Sequence, residues 1–239
     1  MRLGLNSRHD PDTFATFYAQ HGRVRIFDFL EVAGARDLHG ALVSRPDWRQ
    51  LFIGEEGIVQ LDESSRQSLS AADASALDRQ IHERARLGFQ YRYEGLRVPR
   101  SGEGRDENPL QLFADLMASQ AMVSFLSHVV GQGDLHFGEG QATAYGPGDF
   151  LTCHDDAVSG RDRVAAFVLG MTPRWRPEWG GLLLFHEADD GRVDGLVPRF
   201  NTLDLFAVPQ RHSVSYVSPS AAGRRLSLTG WLRPGTPGA

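Results

Sequence analysis

The sequence predicts a mostly β fold with flanking helices: a double-stranded β-helix core (a jelly-roll barrel) with N-terminal helices packed on it. Helical periodicity dominates before about residue 130, and short strand-like runs separated by Gly, Pro and Asp follow. Short strands that recur at this spacing are typical of an antiparallel sandwich or barrel. We therefore expect one domain over residues 1–239, helical over about 1–130, with its β core at about 131–234.

The helices are predicted from their end signals and their apolar spacing. Asp10-Pro11 is a start signal for the first helix, and Gly22 is the corresponding stop signal. Within residues 75–87, apolar side chains recur every four residues, as they do on one face of a helix. A second predicted helix covers residues 32–42, a third covers 75–87, and a fourth begins at Pro109.

The strands are predicted as short apolar or alternating runs, of which one, at residues 24–30, lies before residue 130. Phe89, Tyr91 and Tyr93 also alternate like a strand face, and their rings either pack in the core or line a substrate groove. The glycine-rich stretch 138–140 is expected to form a turn, and residues 101–107 a mobile loop. The later strand-like runs are 141–145, 150–153, 163–169, 182–185, 203–208, 213–217 and 225–232.

The composition excludes several enzyme classes. All 25 residues counted as Lys or Arg are arginine, so the chain has no lysine. Without lysine, a P-loop nucleotide site, a Schiff-base enzyme and a kinase-type nucleotide site are excluded. The single cysteine, Cys153, excludes an intrachain disulfide, a cysteine-rich zinc module and a C-x-x-C redox pair.

Charge and hydropathy predict the cellular location of the protein and the classes of partner that it lacks. The net charge of −5 argues against a nucleic-acid partner or an anionic membrane surface. The longest apolar run, at residues 164–171, is far shorter than the ~20 residues that span a bilayer. The first residues also lack the apolar stretch of a signal peptide. We therefore expect a cytoplasmic protein without membrane or nucleic-acid partners, and the sequence does not predict its oligomeric state.

The stretch around His154 carries the first pattern with a chemical meaning. Alternate side chains of a strand share a face, so His154 and Asp156 are expected to point the same way. A second imidazole, that of His212, begins a later strand-like run. Two histidines and one carboxylate on one side of a metal leave the other side open, as non-haem Fe(II) oxygenases require. A closed structural zinc site needs four protein ligands, which this chain cannot readily supply.

A strand-like run at residues 225–231 carries a second pattern. In a strand, Arg225, Ser227 and Thr229 would share one face, with the arginine at its start. The guanidinium fork is the preferred partner for a carboxylate held in a restricted pocket. Such a group is needed by a cosubstrate that chelates a metal at one end and carries a carboxylate at the other.

Five stretches follow one another in the order and spacing of a known family: CHDD at 153–156, GRDRVAAFVL at 160–169, WGGLLLF at 179–185, PRFNTLDLFAVPQRHSV at 198–214 and RRLSLTGW at 224–231. Together they resemble the catalytic core of the Fe(II)/2-oxoglutarate-dependent dioxygenases. Within these, they are most similar to the prolyl-hydroxylase-like branch, which includes the ribosomal-protein prolyl hydroxylases and their bacterial relatives.

The resemblance implies roles for individual residues. The catalytic iron ligands would be His154, Asp156 and His212. The far carboxylate of 2-oxoglutarate would pair with Arg225, assisted by Ser227 and by the hydroxyl of Tyr145. Two supporting features are also implied, a turn at Gly180-Gly181 into a core strand and Trp231 packed beneath the metal.

The reaction implied by the resemblance is hydroxylation of an unactivated C–H bond, with release of succinate and CO₂. The expected substrate is a prolyl residue in a protein or peptide. Fe(II), 2-oxoglutarate and O₂ are the implied cofactor and cosubstrates, and ascorbate is a further cofactor to test. Two alternatives stay open: the same chemistry on a free amino acid or other small molecule, and a cupin-like metal- or ligand-binding module without turnover.

Each of these residues also has an ordinary structural interpretation. His154 and His212 could be polar residues in turns, Arg225 a surface ion-pair partner, and Tyr145 a half-buried strand aromatic. One position departs from the family pattern, because Gly170 stands where relatives often carry a tyrosine. The missing hydroxyl predicts a looser cosubstrate pocket or room for a larger substrate.

Overall fold

The computed structural model describes residues 2–103, 108–186 and 191–235. These residues form six α-helices and twelve β-strands. The helices are α1 (Pro11–His21), α2 (Val32–Ser44), α3 (Glu63–Gln67), α4 (Ala71–Leu87), α5 (Pro109–Met117) and α6 (Gln120–Val130). The strands are β1 (Arg23–Ile26), β2 (Arg49–Ile53), β3 (Ile58–Leu61), β4 (Tyr91–Arg97), β5 (Leu135–Tyr145), β6 (Phe150–His154), β7 (Ala165–Gly170), β8 (Leu183–His186), β9 (Val193–Leu196), β10 (Thr202–Ala207), β11 (His212–Val214) and β12 (Arg225–Pro234).

The strands join into one antiparallel sheet. Its order is β1-β10-β7-β12-β5-β4-β6-β11-β8-β9, and the β2-β3 hairpin attaches to β4. Side chains from seven of these strands line a single internal cavity, so the sheet curls around it as a half-barrel. The predicted jelly-roll core with helices on its outside is therefore confirmed.

The sheet separates two environments through the alternation of its side chains. On the convex face Leu226 and Leu228 of β12 pack into the largest apolar cluster, together with buried residues of α1, α2, α5 and α6. Phe113 of α5 and Phe167 of β7 meet there with ring centroids 6.4 Å apart. On the concave face, Arg225 and its alternate neighbours line the cavity. This face carries the site described below.

The predicted boundary near residue 130 is wrong as a division between helices and strands. Strands β1 to β4 precede it, and β4 lies in the middle of the sheet between β5 and β6. Its pairing partners are distant in sequence, since Glu94 pairs with Ala144 and Tyr91 with Leu151. The N-terminal half therefore supplies part of the barrel wall. The description of residues 1–239 as a single domain stays a prediction.

Several helix ends follow capping signals, one helix begins before its predicted start, and another was not predicted. Helix α1 begins after Asp10, whose side chain accepts a hydrogen bond from the Asp12 N–H, and it ends at Gly22. Helix α4 begins at residue 71, four residues before the prediction, because Ser70 caps it. Helix α6 was not predicted, although Ser119 caps its start and Gly131 its end.

Three other expectations can be compared with the structure. The turn expected at residues 138–140 is wrong, because these residues lie inside β5 and pair with β12. Part of the predicted mobile loop, residues 104–107, lies outside the described residues. The turn at Gly180-Gly181 forms as expected, with positive φ at both glycines. A side chain at Gly180 would place its Cβ 2.0 Å from the Tyr216 carbonyl oxygen, so only glycine fits there.

Within the described residues, no single helix is long and apolar enough to cross a membrane. The consecutive helices α5 and α6 reach that apolar length only when they are taken together, and they bend by 56° relative to each other.

Candidate metal centre and the cavity around it

Three side chains meet on the wall of the cavity. His154 is the last residue of β6, His212 is the first residue of β11, and the two are direct partners in the pairing of these strands. Asp156 follows His154 by two residues. One potential ligand atom from each of His154, Asp156 and His212 lies within 4.8 Å of the others. The residues that the sequence predicts as metal ligands are thus brought together by the fold.

Asp156 reaches this position differently from the expectation. Strand β6 ends at His154, so Asp156 does not share a strand face with it. Instead, the backbone of Asp156 is left-handed, with φ of 62°. Aspartate tolerates this region better than most residues. The turn brings its carboxylate to 3.5 Å from His154 Nε2 and 3.4 Å from His212 Nε2.

Backbone carbonyls fix the orientation of both imidazoles. His154 Nδ1 lies 3.1 Å from the Thr152 carbonyl oxygen, and His212 Nδ1 lies 2.7 Å from that of Gln210. A carbonyl only accepts, so each Nδ1 is the N–H donor. A neutral imidazole then carries its lone pair on Nε2, which is the atom turned toward Asp156. This is the tautomer that a metal ligand requires.

The protonation states suit a cation. Burial, together with the nearby charge of His154, lowers the pKa of His212 to about 4, so its ring is neutral at neutral pH. Burial alone would raise the pKa of Asp156. Hydrogen bonding from His154 and the charges of both histidines outweigh it, and the pKa of Asp156 lies below its usual value. The centre therefore presents a neutral imidazole at His212 and an ionised carboxylate at Asp156.

Arg163 holds the turn that carries Asp156. Its Nη1 donates to the Asp156 carbonyl oxygen at 3.1 Å, and its Nη2 contacts Glu139 at 2.5 Å. The guanidinium carbon lies 3.7 Å from the centroid of the Trp231 ring, a cation–π geometry. The indole of Trp231 also lines the cavity beside Asp156 and helps to keep the pKa of that carboxyl low. Sequence analysis assigned no role to Arg163, because nothing in its spacing distinguishes it from other arginines.

Arg225 is a buried cation at the same cavity. It begins β12, it pairs with Tyr145 of β5, and its guanidinium carbon lies 5.1 Å from the centre of the Tyr145 ring. Its Nε and Nη1 atoms are buried and have no hydrogen-bond partner among the described residues. Burial lowers the pKa of Arg225. The carboxylate of Asp204 interacts electrostatically with Arg225, but it already accepts hydrogen bonds from Arg25 at 2.6 and 2.9 Å.

The other two residues assigned to the cosubstrate also line this cavity. Ser227 is buried on the same face of β12 as Arg225, and its hydroxyl lies 2.8 Å from that of Thr143. Tyr145 is buried, and burial raises its pKa well above the usual value. The surface ion-pair interpretation of Arg225 does not hold, since 3% of the residue is exposed.

The room expected at Gly170 is already occupied. A Cβ atom at this position would lie 2.2 Å from the carbonyl oxygen of Arg199, and only backbone atoms lie close to it. The missing tyrosine therefore leaves no vacancy, because the chain around Arg199 packs against the glycine. The expectation of space for a larger substrate at this point is wrong.

The cavity is narrow, and aromatic rings form one wall. Its volume is about 180 Å³, below the ~300–1,000 Å³ of drug-sized ligand sites. Tyr91 and Tyr93 of β4 are buried in an apolar cluster and also line the cavity, so core packing is confirmed for these two rings, and a substrate-lining role stays a prediction. Phe89, which is 49% exposed, stands at the rim with its ring centroid 5.4 Å from that of His154.

Comparison with known proteins extends this picture. Residues 140–233 match the family model of the 2OG-Fe(II) oxygenase superfamily. Prolyl 3-hydroxylase OGFOD1 of Xenopus laevis is 42% identical over 95 residues, which are 37% of this chain and 18% of that protein. The Mus musculus protein of the same name is 39% identical over 91 residues, which are 35% of this chain and 16% of that protein. The chain thus spans less than a fifth of the length of these relatives.

Solved structures share the fold over nearly the whole chain. A 2OG-Fe(II) oxygenase family oxidoreductase from Burkholderia pseudomallei has a TM-score of 0.63 at 18% identity, covering 96% of this chain and 93% of that one. A prolyl-4-hydroxylase from Pseudomonas putida has a TM-score of 0.57 at 20% identity, covering 95% of this chain and 100% of that one. A Trichoplax adhaerens prolyl hydroxylase, solved with a hypoxia inducible factor peptide, has a TM-score of 0.60 at 15% identity. The match covers 93% of this chain and 88% of that one.

Proposed function

We propose that this chain, whose residues 140–233 match the 2OG-Fe(II) oxygenase family model, is an Fe(II)- and 2-oxoglutarate-dependent dioxygenase acting on a prolyl residue of a protein or peptide. One observation carries the proposal. A His-Asp-His donor set lines the same small cavity as a buried guanidinium, two of whose nitrogens have no hydrogen-bond partner among the described residues.

The donor set fits Fe(II). Two imidazole nitrogens and one carboxylate oxygen approach one point from the strand ends of β6 and β11. Such a facial triad leaves positions open for a chelating cosubstrate and for O₂. We assign His154, Asp156 and His212 as the metal ligands, with Arg163 and the two backbone carbonyls holding them in place.

The buried cation fits a carboxylate. An unpartnered guanidinium in a secluded pocket is costly to bury, and a bidentate carboxylate offsets that cost. We assign this role to Arg225, with the hydroxyls of Ser227 and Tyr145 beside it. A dicarboxylate that binds the metal at one end and Arg225 at the other satisfies both groups, as 2-oxoglutarate does.

When bound, Fe(II) and 2-oxoglutarate supply the oxidising chemistry, in which O₂ is consumed, succinate and CO₂ are released, and one oxygen atom enters a C–H bond. The protein's own contribution is position and exclusion of water. The rings of Tyr91 and Tyr93 give the cavity an aromatic wall, and the exposed ring of Phe89 stands at its rim, where a substrate would enter. The names of the relatives include both a 3- and a 4-hydroxylase, so the target carbon is left open.

The proposal is tested by turnover with defined substrates. The protein with Fe(II), ascorbate and 2-oxoglutarate in air is incubated with a panel of proline-containing peptides and, separately, with free amino acids. We expect succinate to form in step with a mass gain of one oxygen atom on a prolyl residue. Omitting ascorbate tests whether it is needed.

Two outcomes would contradict the proposal. Hydroxylation of free amino acids alone would establish the small-molecule alternative. Absence of any succinate formation, with metal and 2-oxoglutarate bound, would favour a cupin-like binding module. A cytoplasmic location is part of the proposal, supported by the single cysteine, and fractionation of the source cells tests it.

A further inference from the structure

A wide groove continues from the cavity to the protein surface. Its volume is about 1660 Å³, and four residues line both the groove and the cavity, namely Tyr91, Tyr93, Gln141 and Trp231. Its walls come from the β2-β3 hairpin, from β4, and from the paired β5 and β12. This volume exceeds the ~300–1,000 Å³ that a small ligand fills, so the groove suits a chain segment.

The charge of the groove is opposite to that of the protein. Among its described lining residues six are arginines and three are acids, whereas the whole chain has a net charge of −5. Arg97 is already paired with Glu103, at 2.9 and 3.0 Å, and so adds little to this excess. Three of the remaining arginines surround Glu139 beside Trp231, which lines both the groove and the cavity.

Three arginines there share one carboxylate. Arg163 contacts Glu139 at 2.5 Å, Arg233 contacts it at 3.0 Å, and Arg161 also forms an ion pair with it. The three arginine charges and a hydrogen bond from Arg163 outweigh burial and keep the pKa of Glu139 below its usual value. We call Arg161, Arg163 and Arg233 the arginine cluster.

The arginine cluster retains donors that the fold does not use. The Nε atoms of Arg163 and Arg233 are buried and have no partner among the described residues. The side chain of Arg163 is 9% exposed, which makes an unused donor expensive. Arg161 is 48% exposed, so it can turn toward a ligand in the groove. A second carboxylate at this position would accept hydrogen bonds from the arginine N–H groups that Glu139 does not bind.

We propose that the groove binds an extended peptide segment in which acidic residues flank the target proline, with one carboxylate on the arginine cluster. This inference rests on the proposed function, since the prolyl ring has to reach the metal centre while its neighbours lie in the groove. The cluster contacts the Asp156 turn through Arg163, so an acidic neighbour would lie close to the reacting residue. Guanidinium forks bind carboxylates in two-point fashion, which makes them selective for aspartate and glutamate.

The test measures binding in the absence of turnover. The protein is loaded with Mn(II) and 2-oxoglutarate under nitrogen, and labelled peptides of equal length are compared by fluorescence anisotropy. Each has a central proline flanked by glutamate, glutamine or lysine. We expect the glutamate peptide to bind at least about fivefold more tightly than the glutamine peptide, and the lysine peptide to bind most weakly.

A matched pair of variants locates the effect. Arg161→Gln removes one charge of the arginine cluster, and we expect the advantage of the glutamate peptide to fall below about twofold. Arg79→Gln removes the same charge from the exposed face of α4, outside the groove, and should leave the preference intact. Added salt should weaken the preference in the wild-type protein.

Equal binding of the glutamate and glutamine peptides would overturn the inference. So would displacement of the peptide by a single-stranded oligonucleotide with no preference among the peptides, because the groove would then be a phosphate site. The proposed function fails separately: an acidic preference without any prolyl hydroxylation in air would leave the groove assignment standing and contradict the activity. Prolyl hydroxylation without a preference for the acidic peptide would support the activity and contradict the groove assignment.

Discussion

The convex and concave faces of the sheet are made by alternate residues of the same strands, and they bury different chemistry. On β12, Leu226 and Leu228 point into the apolar cluster beneath the helices. The intervening Arg225 and Ser227 point into the cavity, where two guanidinium nitrogens have no hydrogen-bond partner among the described residues. Both faces of β12 are buried, but its buried charge lies on the concave one.

This difference indicates a division of labour. Apolar burial on the convex face stabilises the fold, at about 25 cal/mol per Å² removed from water. That gain offsets the cost of keeping Arg225, His212 and Asp156 away from water on the other face. We therefore expect substitutions on the concave face to change ligand binding, and substitutions on the convex face to change the free energy of unfolding.

The largest effect is expected at the metal centre. Asp156→Ala removes the only carboxylate of the donor set and should abolish metal-dependent turnover. Loss of a supporting contact around a ligand costs about 10–100-fold in metal affinity, so loss of the ligand itself should exceed 100-fold. Metal titration measures the loss of affinity, and succinate formation measures the loss of turnover. Asp155→Asn, at the exposed neighbour, is the control, and equal loss in that variant would contradict the assignment.

The next effect separates cosubstrate from metal. Arg225→Ala should weaken 2-oxoglutarate binding by about 2–5 kcal/mol, roughly 30- to several-thousand-fold, because the far carboxylate loses a buried charged partner. Metal affinity should not change. Arg224→Ala is the matched control, since that arginine lies next in the chain but pairs with Glu94 at 2.5 Å. Calorimetric titration of both variants provides the comparison, and unchanged cosubstrate affinity in Arg225→Ala would place the carboxylate elsewhere.

A convex-face variant should behave in the opposite way. Leu228→Ala leaves a hole in the main apolar cluster, where the residue is fully buried. Such truncations cost about 2–5 kcal/mol in the free energy of unfolding. Denaturant unfolding measures this loss, while 2-oxoglutarate affinity of the folded protein should stay at the wild-type value. A large change in that affinity would show that the two faces are coupled.

A smaller effect sharpens the boundary of the metal site. Arg163→Gln removes the donor that holds the Asp156 carbonyl, and metal affinity should fall by about 10–100-fold. Arg161→Gln is the matched control, because Arg161 shares Glu139 but makes no contact with Asp156 among the described hydrogen bonds. If both variants bind the metal equally well, the turn does not depend on Arg163.

Much of the concave face could be predicted, because its signal is local. The alternation of Arg225, Leu226, Ser227 and Leu228 assigns side chains to opposite faces, and β12 follows it. The pairing of His154 with His212 required only that two strand ends meet. The resemblance to a known family then supplied the fold class and the roles of the individual site residues.

Other parts depend on contacts that the sequence does not display. Strand β4 was missed as part of the barrel, because it is inserted between β5 and β6, whose residues lie about fifty positions away. The left-handed turn at Asp156 is held by a hydrogen bond from Arg163, seven residues further along the chain. The gap expected at Gly170 is closed by the backbone of Arg199, whose approach no local pattern indicates.

The central claim is that one cavity holds a metal on its three-residue centre and a dicarboxylate between that metal and Arg225. Anaerobic titration of the protein with Fe(II) and then 2-oxoglutarate tests it directly, through the weak visible charge-transfer band of the chelate. We expect the band to saturate in the wild-type protein, to require far more 2-oxoglutarate in Arg225→Ala, and to be missing in Asp156→Ala. A band of equal strength in all three proteins, or metal bound with no band in the wild type, would contradict the claim.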